Sequence, residues 1–359
     1  MKGIILHAGH GTRLRPLTHT GPKQLLPIAN KPMSEYCIES LKDAGVTEIA
    51  IVIGGIGSNK VKEYYDDGEK FGVKITYVEQ DAPRGIAHAV SLCQNFVKNE
   101  KFVVFLGDNL INTNISDFRK NFENSDHEAS LLLCEVDNPE QFGVAYLDKD
   151  KISKMIEKPK NPESNLAITG IYFLTPKIFE KIKKLKPSWR NELEIVDALQ
   201  MILDDGNNIS YNIITEFWKD TGTPNDIIYA NKIVLENMDH KLFGSMESDV
   251  LVKFPEKYSI GKNSVIRTRC TIIGPVIIGD NCFIGNGVTI GPNVSIGNNS
   301  KILNCKIKDS IIMTNCVIDA NISIEDSIVA HNSEVSSNEQ FEKQIAKKLL
   351  LGEGTKITL

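Results

Sequence analysis

The chain has little of what marks a membrane, secreted or nucleic-acid-binding protein. No stretch approaches the roughly 18 consecutive apolar residues of a transmembrane helix. The apolar run in the opening Met-Lys-Gly-Ile-Ile-Leu-His-Ala-Gly is far too short for a signal peptide. Seven cysteines, an odd number without a spaced framework, predict reduced thiols and a cytoplasmic location. Basic charge is not in excess: the formal net charge is −5 and the isoelectric point about 5.9, so no global field attracts nucleic acid. Two familiar glycine-rich signatures are also missing. Gly11 is followed by Thr-Arg rather than the Lys-Ser/Thr of a Walker loop, and Pro16 blocks the immediate helix of a Rossmann turn. What remains is an ordinary globular composition, 41% hydrophobic and 24% charged. The 359 residues allow two or three domains with cores of their own.

Positive charge is instead concentrated near the start, in Leu6-His7-Ala8-Gly9-His10-Gly11-Thr12-Arg13-Leu14-Arg15-Pro16-Leu17-Thr18 and Pro22-Lys23-Gln24-Leu25-Leu26-Pro27-Ile28. The run begins where an apolar strand stops. Gly9 and Gly11 let the backbone turn tightly and approach a ligand with no Cβ in the way. Exposed amide N–H groups in such a turn form an anion-binding concavity, to which Arg13, Arg15 and Lys23 add full charges. The pattern suits a nucleoside triphosphate.

From residue 1 to about 235, short apolar runs at 3–6, 48–53, 74–78, 102–106, 130–136 and 168–174 read as strands, alternating with helix-like segments at 33–45 and 86–97. In the second helix Ile86, Val90, Cys93 and Val97 share one face. This alternation predicts an α/β domain with a Rossmann-like, mainly parallel sheet covered on both sides. Ligands of such sheets bind at the carboxyl ends of strands. Both the Gly9 turn and Gly107-Asp108-Asn109 lie at such ends.

Composition changes after about residue 250. Isoleucines recur every six residues from Ile260 through Ile266, Ile272, Ile278, Ile284, Ile290 and Ile296 to Ile302, and after an irregular stretch at Ile312, Ile318 and Ile324. Small or apolar residues sit four beyond the anchors, among them Ser264, Cys270, Cys282, Val294, Ser300 and Cys316. A fixed six-residue period marks a parallel β-helix whose stacked coils bury a continuous core. The inward cysteines are read as core rather than metal ligands. The segment 347–359 is expected to cap or cross the end of the solenoid. The division expected is thus 1–240 for the α/β domain and 241–359 for the β-helix.

The N-terminal string resembles the signature of sugar-1-phosphate nucleotidylyltransferases, and the hexapeptide tail resembles the left-handed β-helices, which turn once per three hexapeptides. Pro-Lys-Gln-Leu-Leu-Pro, Leu-Gly-Asp-Asn and Thr-Gly-Ile-Tyr-Phe are similar to the long form of the glucose-1-phosphate thymidylyltransferases, in which a β-helix follows the catalytic domain. The resemblance implies roles residue by residue. Asp108 and Asp220, each alone a plausible turn or cap aspartate, would bind a divalent metal, Mg²⁺. Arg13 and Lys23 would be catalytic, acting on the triphosphate, with Leu6, Ala8, Gly9, Gly11 and Thr12 around the nucleotide. Gln80 would read the N3–H and O4 of thymine or uracil, and Gly85 would let the base lie flat on the backbone; a polar loop capping the next helix is the alternative. Glu157 would accept from sugar hydroxyls, while Lys158 and Arg190 would hold the sugar phosphate, with Gly143, Ile168, Gly170 and Tyr172 completing that pocket. The family usually has Gly at Asn191 and a small residue at His7, so His7 stays outside the catalytic set.

The implied reaction is dTTP plus glucose 1-phosphate giving dTDP-glucose and pyrophosphate, by a soluble homo-oligomer with no nucleic-acid or membrane partner. UTP in place of dTTP, or another NDP-sugar, is the nearest alternative. A β-helix acetyltransferase, whose tail histidine would be His331, and a silent nucleotide sensor stand further off. No nucleotide motif lies beyond Asp220, which predicts that the tail serves assembly or stability rather than the site.

Overall fold

A computed structural model describes residues 1–9, 11–337 and 346–359, so His10 of the N-terminal string lies outside the described residues. The chain divides into two compact units, one of residues 1–10 with 33–220, the other of 11–32 with 221–359.

In the first unit, β1 (Lys2–Leu6) is fully buried as an interior strand of a nine-stranded sheet. In the second unit β2 (Pro27–Ile28) and β3 (Lys31–Pro32) form a two-residue hairpin ladder. The first unit continues with β4 (Glu48–Ile53), β5 (Lys74–Glu79), β6 (Phe102–Leu106), β7 (Asn109–Ile111), β8 (Ala129–Glu135), β9 (Gly143–Asp148), β10 (Lys151–Glu157), β11 (Leu166–Leu174), β12 (Ile209–Ile214) and β13 (Trp218–Asp220). Strands β5, β4, β1 and β6 pair in parallel, as the continuous apolar runs at 48–53 and 102–106 require of strands covered on both faces. β11 then enters antiparallel to β6, β8 and β9, and the hairpin β9–β10 extends the edge. The sheet is therefore mixed, with its parallel half at the N-terminal motif. The register of β11 against β8 breaks between Ile168 and Tyr172, a bulge at Thr169-Gly170 of the kind that re-aims side chains beside a site.

Helix Met33–Asp43 buries Met33, Cys37, Ile38 and Leu41 at helical spacing. The helix expected over 86–97 is two, Ile86–Ser91 and Gln94–Val97, yet Val90, Cys93 and Val97 are buried as the periodicity requires.

In the second unit three parallel sheets form the β-helix. Ile260 pairs with Ile278, Ile266 with Ile284 and Ile272 with Ile290, each eighteen residues on, so one coil is three hexapeptides. All the anchor isoleucines are at most 1% exposed. The coil corners carry left-handed residues, among them Asn263, Asn281, Asn293, Asn299, Asn315 and Asn332, each just before an inward small residue. Asparagine tolerates this conformation better than most residues. Its side chains also stack, Asn299 donating to Asn315 and Asn315 to Asn332. The irregular stretch has a simple cause. Ile307 takes the missing slot and pairs with Ile290 and Ile324, and the corners around it, with Asn304 and Asp309 at positive φ, are one residue tighter. The tail adds a last coil, Leu350–Leu351 on Ile328–Val329 and Lys356–Thr358 on Glu334–Ser336, rather than lying across the end. Cys270, Cys282 and Cys316 point inward; burial raises each thiol, Cys316 to about 11, so they are inert core.

Candidate active site

Strand pairing brings the two aspartates together. β13 lies antiparallel on β7, with Asp220 directly opposite Asn109, the neighbour of Asp108. Residues so paired have Cα atoms about 4.5–5.5 Å apart. Asp108 is 8% exposed, and its Oδ1 accepts from Asn109 Nδ2 at 3.2 Å. Asn109 is itself held by Trp218, whose indole N–H donates to Asn109 Oδ1 at 2.8 Å. Among the described residues no three His, Cys, Asp or Glu side chains gather as a self-sufficient metal cage. Two carboxylates at a strand end suit a cation that completes its shell with phosphate oxygens and water, as Mg²⁺ does.

The proposed sugar residues join the same region. Glu157 lies across from Gly143 in the β9–β10 pair. A Cβ on Gly143 would come within 2.7 Å of Val196 Cγ2 and 3.1 Å of Glu157 Oε2, so only glycine leaves Glu157 its place. Lys158, at φ 45°, donates its N–H to Phe142 O, and the Phe142 ring packs edge-on against Trp218. Glu157-Lys158 is thereby linked through Phe142, Trp218 and Asn109 to Asp108. Gly170 in the β11 bulge faces the same asparagine, where a Cβ would sit 2.9 Å from Asn109 Cγ. Ile168 and Tyr172 belong to the hydrophobic core, each 4% exposed. Burial, then the charges of Glu157, Asp108 and Glu194, raises the Tyr172 hydroxyl above the ordinary range.

Arg190 is more deeply committed than the sequence suggests. Its Nε and Nη2 grip Glu194 at 3.1 and 2.9 Å, and Nη2 also meets Glu192 at 2.7 Å and Glu157 at 3.7 Å. Nη1 makes none of these contacts. Burial and the Glu194 charge push the Glu157 carboxyl up to about 7, against the opposing pull of Lys158 and Arg190. Sequence reasoning missed Glu194, which is 2% exposed; its only signal was a run of acids beside an arginine.

Gln80 is buried, and its amide nitrogen lies 2.8 Å from His88 Nδ1. Burial and Arg84 lower the His88 pKa. Because an amide nitrogen can only donate, a neutral ring accepting on Nδ1 satisfies this contact. His88, missed in the sequence, lies one helical turn beyond the proposed base-reading segment. Gly85, at φ 100°, has a packing reason of its own: a Cβ there would lie 2.5 Å from Leu193 O.

The N-terminal string is split between the units. Leu6 ends β1, and its carbonyl accepts from Gly107 N–H, placing it beside the Asp108 turn. Ala8 is half-buried, and Gly9, at φ 141°, has open space where a side chain would be. In the second unit a Cβ on Gly11, at φ 55°, would touch Thr18 at 3.0 Å and Lys23 Cβ at 3.3 Å, so glycine closes the loop that carries both cations. Thr12 and Arg13 are exposed in a 3₁₀ turn (Thr12–Leu14), and Lys23 opens another (Lys23–Leu25) after Pro22. The Arg13 guanidinium lies against Gly222, where a Cβ would come within 3.0 Å of Nη2.

His7 points into the fold. It is 1% exposed, neither ring nitrogen has a hydrogen-bond partner among the described residues, and the ring meets Tyr65 edge-on. Burial pushes its pKa down to about 3. The folded state keeps His7 neutral while the unfolded chain takes up a proton below about 6.5. Stability should therefore fall as pH drops from that value towards 3, by up to about 1.4 kcal/mol per pH unit. In urea unfolding across this range, His7→Phe should show a flatter acid limb than wild type; parallel limbs would contradict the assignment.

A glycine-turned loop bearing Arg13 and Lys23 in one unit and, in the other, two aspartates set by the pairing of β7 with β13 are the parts an enzyme that transfers a nucleotidyl group requires. The family described as nucleotidyl transferase matches residues 2–237, and one described as GMPPB C-terminal domain matches 272–358. This chain belongs to the nucleotidyl transferase family. It is 46% identical to the low-salt glycan biosynthesis nucleotidyltransferase Agl11 of Haloferax volcanii over 253 residues, 70% of this chain and 71% of that one. It is 40% identical to a glucose-1-phosphate thymidylyltransferase of Streptomyces antibioticus, covering 78% of each. Among solved structures, a Bacillus anthracis protein described as a glucose-1-phosphate thymidylyltransferase, in complex with sucrose, aligns with TM-score 0.63 and 41% identity, over 67% of this chain and 96% of that one.

Proposed function

We propose that this nucleotidyltransferase joins dTTP and glucose 1-phosphate into dTDP-glucose with release of pyrophosphate. The pairing of β7 with β13, which sets Asp220 opposite the neighbour of Asp108, is the observation that carries the reading. A phosphate oxygen of the sugar phosphate attacks the α-phosphorus in line. The bond from the α-phosphorus to the bridging oxygen breaks, and its electron pair leaves with pyrophosphate. The nucleophile is already ionised, so no protein base and no covalent intermediate are needed, and catalysis is positioning with neutralisation of charge. Arg13 faces the leaving pyrophosphate and Lys23 the α-phosphate. Lys158 holds the sugar phosphate, with Arg190 as a second cation once Glu192 releases it. Glu157 accepts from the sugar hydroxyls, Gly143 and Gly170 leave room for the ring, and Gln80, fixed by His88, reads the base beside Gly85. Asp108 and Asp220 are the ligands for Mg²⁺, which when bound neutralises charge on the α-phosphate and the leaving group.

The functional division falls near residue 240, in keeping with the family match to 2–237. We take the enzyme to be a cytoplasmic homo-oligomer acting on small molecules; its seven free cysteines fit a reducing compartment. Among the described residues no helix is long and apolar enough to cross a membrane. The UTP reading has support too: a UDP-glucose pyrophosphorylase solved with UDP-glucose aligns at 28% identity and TM-score 0.59, over 66% of this chain and 99% of that one. Equal amounts of nucleoside diphosphate sugar and pyrophosphate, followed by ³¹P NMR, are the expected products; nucleoside monophosphate as the sole nucleotide product would refute the transfer.

Two predictions follow from the sugar side. Lys158→Ala should raise KM for glucose 1-phosphate roughly tenfold to a hundredfold, the affinity equivalent of a charge-assisted contact of about 1.5–3 kcal/mol. KM for the nucleotide should scarcely move, and a rise confined to the nucleotide would overturn the assignment. Glu157 accepts from hydroxyls most strongly when ionised, and burial pushes its carboxyl up to about 7. KM for glucose 1-phosphate should therefore fall as pH rises through 7, and Glu157→Gln should lose that dependence while keeping whatever belongs to the substrate phosphate.

A further inference from the structure

The loop 11–32 that carries Arg13 and Lys23 is poorly able to hold its own shape. It contains two 3₁₀ turns of three residues and the hairpin β2–β3, only two residues a side. Such a hairpin is at best marginal alone. Its turn residues, Ala29 at φ 47° and Asn30 at φ 64°, are both left-handed, which alanine resists. Something outside the loop must hold it.

Both turn residues are tied to the C-terminal half of the chain. Ala29 N–H donates to Asn231 Oδ1 at 2.8 Å, and Asn30 Nδ2 donates to the carbonyl of Ile296 at 2.7 Å. Asn231 lies on the buried face of helix Pro224–Glu236, with Ile227, Ala230 and Leu235, and is 1% exposed. The same Oδ1 accepts from Ser295 Oγ, a fully buried hydroxyl in the β-helix strand Val294–Ile296. The helix packs against both β2 and this strand. At the far end of the solenoid the loop is touched again, where a Cβ on Gly352 would lie 3.1 Å from Pro16 O. One carboxamide oxygen thus joins the loop, the helix and a β-helix coil.

We infer that the β-helix is the support that positions the phosphate-gripping loop, and that Asn231 is the positioning residue fastening the two. This goes beyond the expectation that the tail serves assembly or stability rather than the site. It rests on the reading of Arg13 and Lys23 as triphosphate ligands only for its kinetic consequence. Asn231 touches no substrate in this account; it acts by keeping the strained turn, and hence both cations, in place.

The test compares Asn231→Leu, Asn30→Ala and Asn231→Asp with wild type in the full-length protein. Asn231→Leu removes the shared acceptor, Asn30→Ala removes the direct bond to Ile296 and sets alanine at the left-handed φ of 64°, and Asn231→Asp keeps an oxygen where the acceptor was. Hydrogen exchange across 11–32 should quicken in the first two and return towards wild type in the third. KM for the nucleotide should rise about tenfold in Asn231→Leu, with KM for glucose 1-phosphate unchanged. If Asn231→Leu fails to fold, Asn30→Ala decides by the same readouts. Unchanged exchange in 11–32, or an equal rise in both KM values, would overturn the inference. Should wild type bind no nucleoside triphosphate, the functional reading fails, and the exchange data still decide whether the β-helix holds the loop.

Discussion

Asp108→Asn is expected to fold normally and to lower kcat by about a thousandfold or more, since several kcal/mol of charge stabilisation would be lost. The substitution is nearly isosteric and keeps an acceptor oxygen, so the hydrogen bond from Asn109 should survive. Asn cannot supply the negative charge that draws a divalent cation into a site with only one other strand-end carboxylate. Asp220→Asn should behave alike, because Asp220 lies opposite Asn109 in the β7–β13 pair and is the second proposed ligand. The two losses should not add fully, as residues acting as a unit rarely do. Pyrophosphate release measured against Mg²⁺ concentration, with thermal unfolding as the control for folding, checks this. Near-wild-type turnover at saturating Mg²⁺ in either variant would remove the metal assignment.

The second large effect is expected at Arg13. Charge grows on pyrophosphate as the bond to the α-phosphorus breaks, so a guanidinium placed there contributes more in the transition state than in the ground state. Arg13→Ala should therefore lower kcat by about a hundredfold or more, with a smaller change in KM for the nucleotide. The side chain is exposed in its 3₁₀ turn, so its loss should leave the unfolding temperature unchanged. Single-turnover quench-flow with saturating substrates isolates the chemical step; an unaltered chemical step with weaker binding would make Arg13 a tether rather than a participant.

The parts of the fold legible in sequence were those that repeat. Ile260 to Ile302 announced the β-helix because each coil asks the same residue to fill the same slot, and the apolar runs at 48–53 and 102–106 announced buried parallel strands. The step from Ile302 to Ile307 and on to Ile312 was hidden by corners one residue shorter. The antiparallel half of the sheet was hidden because pairing direction depends on partners far along the chain. At the proposed site, Asp108, Asp220, Glu157 and Lys158 were singled out through family resemblance rather than spacing. The Glu194 grip on Arg190, the His88 contact to Gln80 and the Asn231 bond to Ala29 were not. Each is a tertiary contact between side chains that look unremarkable in their own segments. Nothing in the sequence around Glu194, His88 or Asn231 singles them out.

The central claim is sugar-phosphate nucleotidyl transfer, and a substrate matrix tests it most directly. Pyrophosphate release would be measured for dTTP, UTP, ATP, GTP and CTP against glucose, galactose, mannose and glucosamine 1-phosphates in the presence of Mg²⁺. The account predicts the highest kcat/KM with dTTP and glucose 1-phosphate, UTP next, and little with the purine nucleotides. Release of no pyrophosphate from any pair, or release that needs no sugar phosphate, would contradict it.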